Sequence, residues 1–184
     1  PVTTLSGTLG VDTSAAVTTL DEVGREVQMM GWHFNTDYNV EYTPDESSNE
    51  IAIATDILAV DAQPPFTDSG RVDVVIRGTK LYDRVNRSFE FSGKIKVTTI
   101  KGFDFEDLPQ EARHYIMIKA GRKLQDRFVG SAKLHQLSMR DELEALATLK
   151  ACEARQADHS IFDNLDSFDI MGRRNPLRFM RRRP

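Results

Sequence analysis

The chain has 184 residues, a hydrophobic fraction of 40%, a charged fraction of 28% and a formal net charge of -4. Those values are ordinary for a globular protein, and the length suits one compact domain or two small layers sharing a core. A mean hydropathy of -0.42, with no apolar run near the roughly eighteen residues a span requires, argues against a membrane-crossing helix.

No charged-then-apolar leader opens the sequence, so no secretory signal is expected. The single Cys152 has no intrachain partner for a disulfide, which suits a reducing cytosol. The net charge hides an asymmetry. Residues 173–184 hold six arginines and no acid, which leaves 18 basic against 28 acidic residues elsewhere, a body of -10. A protein built to grip nucleic acid needs a basic face, so an acidic body argues against that role. Acidic surfaces are also common for solubility alone.

Residues 1–11 are rich in Thr, Gly and Ser and form an extended lead-in by pattern. Asp12 or Thr13 can cap a helix that runs to Met30 and stops at Gly31. Its apolar residues Ala16, Leu20, Val23, Val27 and Met30 recur at spacings of four and three, giving one stripe to bury. Gly24 within it costs about 1 kcal/mol relative to alanine, which points to a close helix contact or simple tolerance.

From Trp32 the period changes. Trp32, Phe34, Tyr38, Val40 and Tyr42 alternate with polar residues, as a half-buried strand does. Pro44 to Asn49 is a turn by composition. Further short strands are predicted at 51–53, 57–60, 72–76, 80–85, 88–91 and 94–100, with a polar turn at Asn86-Arg87-Ser88. No helix-sized segment separates them, so the sheet is antiparallel, with a small open barrel as the curled alternative.

Residues 103–130 return to helix, with Pro109 and Glu111 in the first turn, where a missing N–H is harmless and negative charge meets the positive dipole end. Ala112, Ile116, Ala120, Leu124 and Phe128 form its apolar row, widened by Met117 and Gly121. A final helix spans Ser131 to about His159, with Leu134, Leu137, Leu143, Leu146 and Leu149 on its apolar side. The short link at Val129-Gly130-Ser131 makes the last two helices antiparallel neighbours. The expected fold is therefore α+β: a helix bundle interrupted by an antiparallel β-sheet or small open barrel, with an extended C-terminal tail. Its units are a discontinuous helical domain (1–31 and 103–160), a β domain (32–102) and a docking tail (161–184).

No motif for chemistry stands out. The four histidines are far apart and no Cys-x-x-Cys pair exists, so no metal site is expected. No phosphate-cradling glycine loop and no Gly-x-Ser-x-Gly elbow occurs, so neither a catalytic residue nor a cofactor is assigned. Acids cluster at Asp104, Glu106 and Asp107 and at Asp141, Glu142 and Glu144. A glycosidase needs two carboxylates across a sugar cleft, but helix-start acids explain the first cluster better.

Several short motifs in fixed order carry a resemblance. They are Met30-Gly31-Trp32-His33-Phe34-Asn35, Thr43-Pro44-Asp45, Leu81-Tyr82-Asp83-Arg84, Phe105-Glu106-Asp107-Leu108-Pro109 and Ala120 through Gly130. Over residues 1 to 155 the chain resembles the tail tubular protein A family of short-tailed double-stranded DNA phages. That resemblance implies a ring-forming adaptor, not an enzyme, found in the virion tail and in host cytoplasm during assembly. It implies as partners the portal protein, the tail nozzle (tail tubular protein B), eleven further copies in a twelve-fold ring, and genomic double-stranded DNA passing through the lumen without sequence recognition. It also implies an additional N-terminal helix preceding Pro1. The alternatives are a tail-associated glycan hydrolase acting on the host surface and a DNA-binding accessory protein. Two surfaces are expected to carry assembly. The tail offers Arg173, Arg174, Leu177, Arg178, Phe179, Met180 and Arg181 to the portal or a neighbouring subunit, since apolar anchors among arginines characterise protein interfaces. The strand bearing Tyr82, Asp83 and Arg84 meets the nozzle or a subunit, or is merely an edge strand with Asp83 and Arg84 in solvent.

Overall fold

A computed structural model describes residues 11–62 and 72–156. The architecture is α+β. Helix α1 (Val11–Gln28) precedes five strands, β1 (Thr36–Tyr42), β2 (Ile57–Ala62), β3 (Val74–Arg77), β4 (Lys80–Asp83) and β5 (Ile95–Lys101). Helices α2 (Gln110–Phe128) and α3 (Ala132–Gln156) follow them.

The strands form two antiparallel sheets, three-stranded β1-β5-β2 and two-stranded β3-β4. One apolar cluster serves both: Ile51, Ile53, Val72, Val74, Leu81, Phe91, Ile95 and Val97 are buried together. Residues 51–53 and 88–91, expected as strands, contribute only isolated bridges, Ala52 to Lys80, Glu50 to Glu90 and Ser88 to Asp83. Their side chains still reach the core, so the apolar signal was sound while the ladder was not.

A second cluster is helical. Val23 and Val27 of α1, Ala112, Tyr115, Ile116 and Ala120 of α2, and Ala145 and Leu149 of α3 are buried with Trp32 and Leu108. Phe34 packs against this cluster too. Trp32 and Phe34 are therefore not strand residues. A 3-10 turn over His33–Asn35 separates α1 from β1 and directs both rings toward the helices. The alternation fails again at Tyr38, which is 61% exposed. The pairing of β1 with β5 slips between Asp37 and Val40, and Asn39 sits at φ 58. An extra residue at such a bulge rotates the residues before it to the opposite face.

The junction between helices and sheet is polar, and two amide side chains tie it together. Asn35, buried, donates from Nδ2 to the carbonyls of Gln28 and Lys101, both at 2.9 Å, and its Oδ1 accepts from the Trp32 amide at 2.8 Å. Gln28, also buried, accepts from the Phe103 amide at 2.7 Å and donates to the Phe103 carbonyl at 3.1 Å. Two amide side chains thus supply partners to backbone groups freed at the end of α1 and the end of β5. Gly31 allows the tight exit from α1, since its φ is 71 and an added Cβ lies 3.0 Å from Ile100.

Helix α1 is clipped to α2 by charge. Glu26 accepts from Lys119 at 2.8 Å and from Lys123 at 2.7 Å. Those two hydrogen bonds hold the Glu26 carboxyl below its ordinary value of 4.5, with slight burial working the other way. A carboxylate with a depressed folded-state pKa adds stability that is complete above its unfolded pKa and lost as pH falls through the folded value. Glu26→Gln should lower the unfolding free energy at pH 7 by about 0.5–1 kcal/mol, a figure already discounted for solvent screening. The difference from wild type should shrink in urea titrations as pH falls below 4.5; a constant difference across pH would contradict the assignment.

Candidate functional site

Two surfaces are expected to carry assembly, the tail and the strand rim, and the structure adds a third, the helical hairpin. The tail residues Arg173, Arg174, Leu177, Arg178, Phe179, Met180 and Arg181 lie outside the described residues. The strand rim and the helical hairpin are described.

At the rim, strand β4 ends in a loop organised by one carboxylate. Asp83 is 2% exposed, so it does not face solvent as an edge-strand residue. Its Oδ1 accepts from the amides of Val85 at 2.8 Å and Asn86 at 3.3 Å, and its Oδ2 accepts from Asn86 Nδ2 at 2.7 Å. Asp is favoured here because a short carboxylate reaches amides two and three residues ahead. The loop closes where the Asp83 amide donates to the Ser88 carbonyl at 2.8 Å, with Arg87 at φ 53 supplying the reversal.

Tyr82 and Arg84 project differently. Tyr82 is half-buried, with Phe89 edge-on at 5.0 Å between centroids and the Arg77 guanidinium 3.6 Å above its ring. Stacked arginine and an edge-on aromatic make a rigid platform rather than a mobile side chain. Arg84 is exposed and lies 3.4 Å from Asp73. The same loop borders a cavity of about 390 Å³ lined in part by Asn49, Val72, Asp83, Glu90 and Phe91.

The helical hairpin carries an apolar surface as well as the apolar seam it shares with the core. On α3 only Ala145, Leu149 and Cys152 are buried, while Leu134 is 42% and Leu137 57% exposed. Met139 and Leu143 are exposed as well. On α2, Met117 and Phe128 are exposed, so they lie off the buried row that begins Ala112, Ile116, Ala120. The seam between α2 and α3 near the hairpin tip is polar. Ser138 donates to Gln125 at 2.8 Å, His135 contacts Asp126 at 2.9 Å, and Arg122 pairs with Glu142. That pairing, chiefly the Glu142 hydrogen bond, raises the Arg122 pKa. Polar contacts thus join the hairpin while several of its leucines point away.

The acids that invited a hydrolase reading have other partners or positions. Glu142 is taken by Arg122 and Glu144 by Arg140. Glu106 and Asp107 lie in a 3-10 turn just before α2. Among the described residues no group of three or more His, Cys, Asp or Glu is gathered for a metal ion, and no helix there is long and apolar enough to cross a membrane.

Two short sheets, a three-helix bundle and exposed apolar helix faces describe a structural module built for contact. The family model for tail tubular proteins matches residues 1–159. The chain belongs to the tail tubular protein family, and is a structural component of a phage virion tail. No curated protein matches it in a sequence comparison.

Asn35, Gln28 and the exposed face of α3 were not singled out by sequence reasoning as positions with a role. Amide side chains at a junction carry no periodic signal. The α3 leucines were visible but assigned to the interior.

Proposed function

We propose that the protein is a ring-forming adaptor, twelve copies joining the portal to the tail nozzle and lining the channel for DNA retention and ejection. The observation that carries this reading is the family match over residues 1–159. The exposed apolar residues of the hairpin, unusual for a chain that works alone, support it. In such a ring many weak contacts act together, so no single pair needs high affinity. Function is assembly, and no turnover chemistry is required of any residue.

In this reading two units serve it, a discontinuous helical one (1–31 and 103–160) and a β one (32–102) whose leading residues Trp32 and Phe34 pack on the helices. The helices and the tail face the portal. Tyr82 and Arg84 face the nozzle or an adjacent copy, with Asp83 holding the rim in shape from beneath. Nothing favours the glycan-hydrolase alternative.

Removing residues 173–184 tests the portal assignment. The shortened chain should keep its circular dichroism spectrum and melting temperature while losing at least tenfold in affinity for purified cognate portal rings. Undiminished portal binding would remove the tail from the account.

A further inference from the structure

We propose that neighbouring copies meet through two different faces of the α2–α3 hairpin, one face of each copy seating on the other face of the next. The inference rests on the ring reading above and names its lateral contact.

The two faces follow from helical geometry. Successive residues turn by about 100°, so the buried seam of α3 is traced by Ser138, Glu142, Ala145, Leu149 and Cys152. Ser138 and Glu142 bond to α2, and the other three enter the core. Leu137 falls on one side of that seam, with Leu134 at the seam's near edge in line with Cys152, and Met139 and Leu143 fall on the other side. The contacts of α2 fix which side is which. Lys119, Lys123 and Arg127 reach α1 through Glu26 and Glu22. Gln125 and Asp126 reach α3. Met117 and Phe128 lie on the remaining side of α2, next to Gln125, and so continue the face of Leu134 and Leu137. Between them Gly121 leaves open space, with no atom within 4 Å of an added Cβ. The face of Met139 and Leu143 lies across the seam, toward α1.

A second copy is the occupant because two separate apolar faces stand on different sides of one hairpin and carry opposite charges at their borders. Closed rings arise from heterologous contacts, in which every copy offers one patch forward and a different one back. A single patch that pairs with its own copy gives only dimers. Charge agrees with the pairing. Exposed Asp141 borders the first face and exposed Lys150 the second, and neither has an ion pair among the described residues. Charges so placed fix register and exclude the reversed pairing.

The test mixes two full-length chains, both carrying Cys152→Ser, one with Leu137→Cys and the other with Leu143→Cys, assembled in equal amounts on cognate portal rings and treated with a flexible bis-maleimide. Each single-cysteine chain alone is the control. The expected result is covalent dimers from the mixture and none from either chain alone. Rings visible by electron microscopy but no dimers from the mixture would overturn the inference while the ring reading stands. Equal linking from one single-cysteine chain would overturn it also, because like faces would then meet. If wild-type protein forms no ring, the ring reading itself fails and the inference falls with it.

Discussion

Replacing Trp32 with alanine is expected to lower the unfolding free energy by about 3–5 kcal/mol, the largest loss for any single position near the helix–sheet junction. The ring is 6% exposed and belongs to the cluster that joins all three helices. Its Nε1 donates to the Val27 carbonyl at 2.7 Å, which also accepts from the Met30 amide at 3.2 Å at the end of α1. Truncation leaves a cavity and removes the indole donor, while the carbonyl keeps its bond from the Met30 amide. Trp32→Phe separates them: it keeps most of the volume and drops the donor, so it should cost about 1–2 kcal/mol. Guanidinium unfolding monitored by circular dichroism measures both. A loss below about 1 kcal/mol for the alanine variant would place Trp32 outside the core.

Asp83→Ala is the second large effect, about 3 kcal/mol, because three donors around a buried carboxylate lose their acceptor together. The amides of Val85 and Asn86 cannot be satisfied by a methyl group, so the loop from 83 to 88 should open as well as destabilise. Amide hydrogen exchange at those two residues should accelerate more than the global loss of stability explains. Asp83→Asn retains one carbonyl oxygen facing the amides and should recover about half the loss. Tyr82→Ala and Arg84→Ala provide the contrast. If the rim meets the nozzle, these two weaken nozzle binding, whereas Asp83→Ala acts through stability. Nozzle binding unaffected by both would leave the rim as a strand edge.

The helices were legible in sequence because their buried residues keep a 3.6 period: Val23 and Val27 on α1, and Ala112, Ile116 and Ala120 on α2, all lie in one core. The stop at Gly31 was legible for a related reason, since a positive φ favours glycine there. The strands were harder. Trp32 and Phe34 sit two apart, as in a strand, yet a 3-10 turn carries them to the helices. The bulge at Asn39 then puts Tyr38 in solvent. Alternation records which residues are apolar, but it cannot show where an extra residue shifts the phase.

The candidate surfaces show the same limit from the other direction. Leu134, Leu137 and Leu143 belong to a helical pattern, and pattern alone does not distinguish a core within the chain from one completed between chains. Asp83 looked like a solvent-facing charge because its neighbours alternate, whereas its burial depends on a loop whose amides converge on it. Local hydrogen bonding of this kind leaves no periodic trace.

Electron microscopy of the purified chain mixed with its cognate portal tests the central claim most directly. The account predicts a second ring of twelve-fold symmetry stacked on the portal, with the α2–α3 hairpins between adjacent subunits. Folded protein that never associates with the portal, shown by an unchanged portal image and a native circular dichroism spectrum, would contradict it.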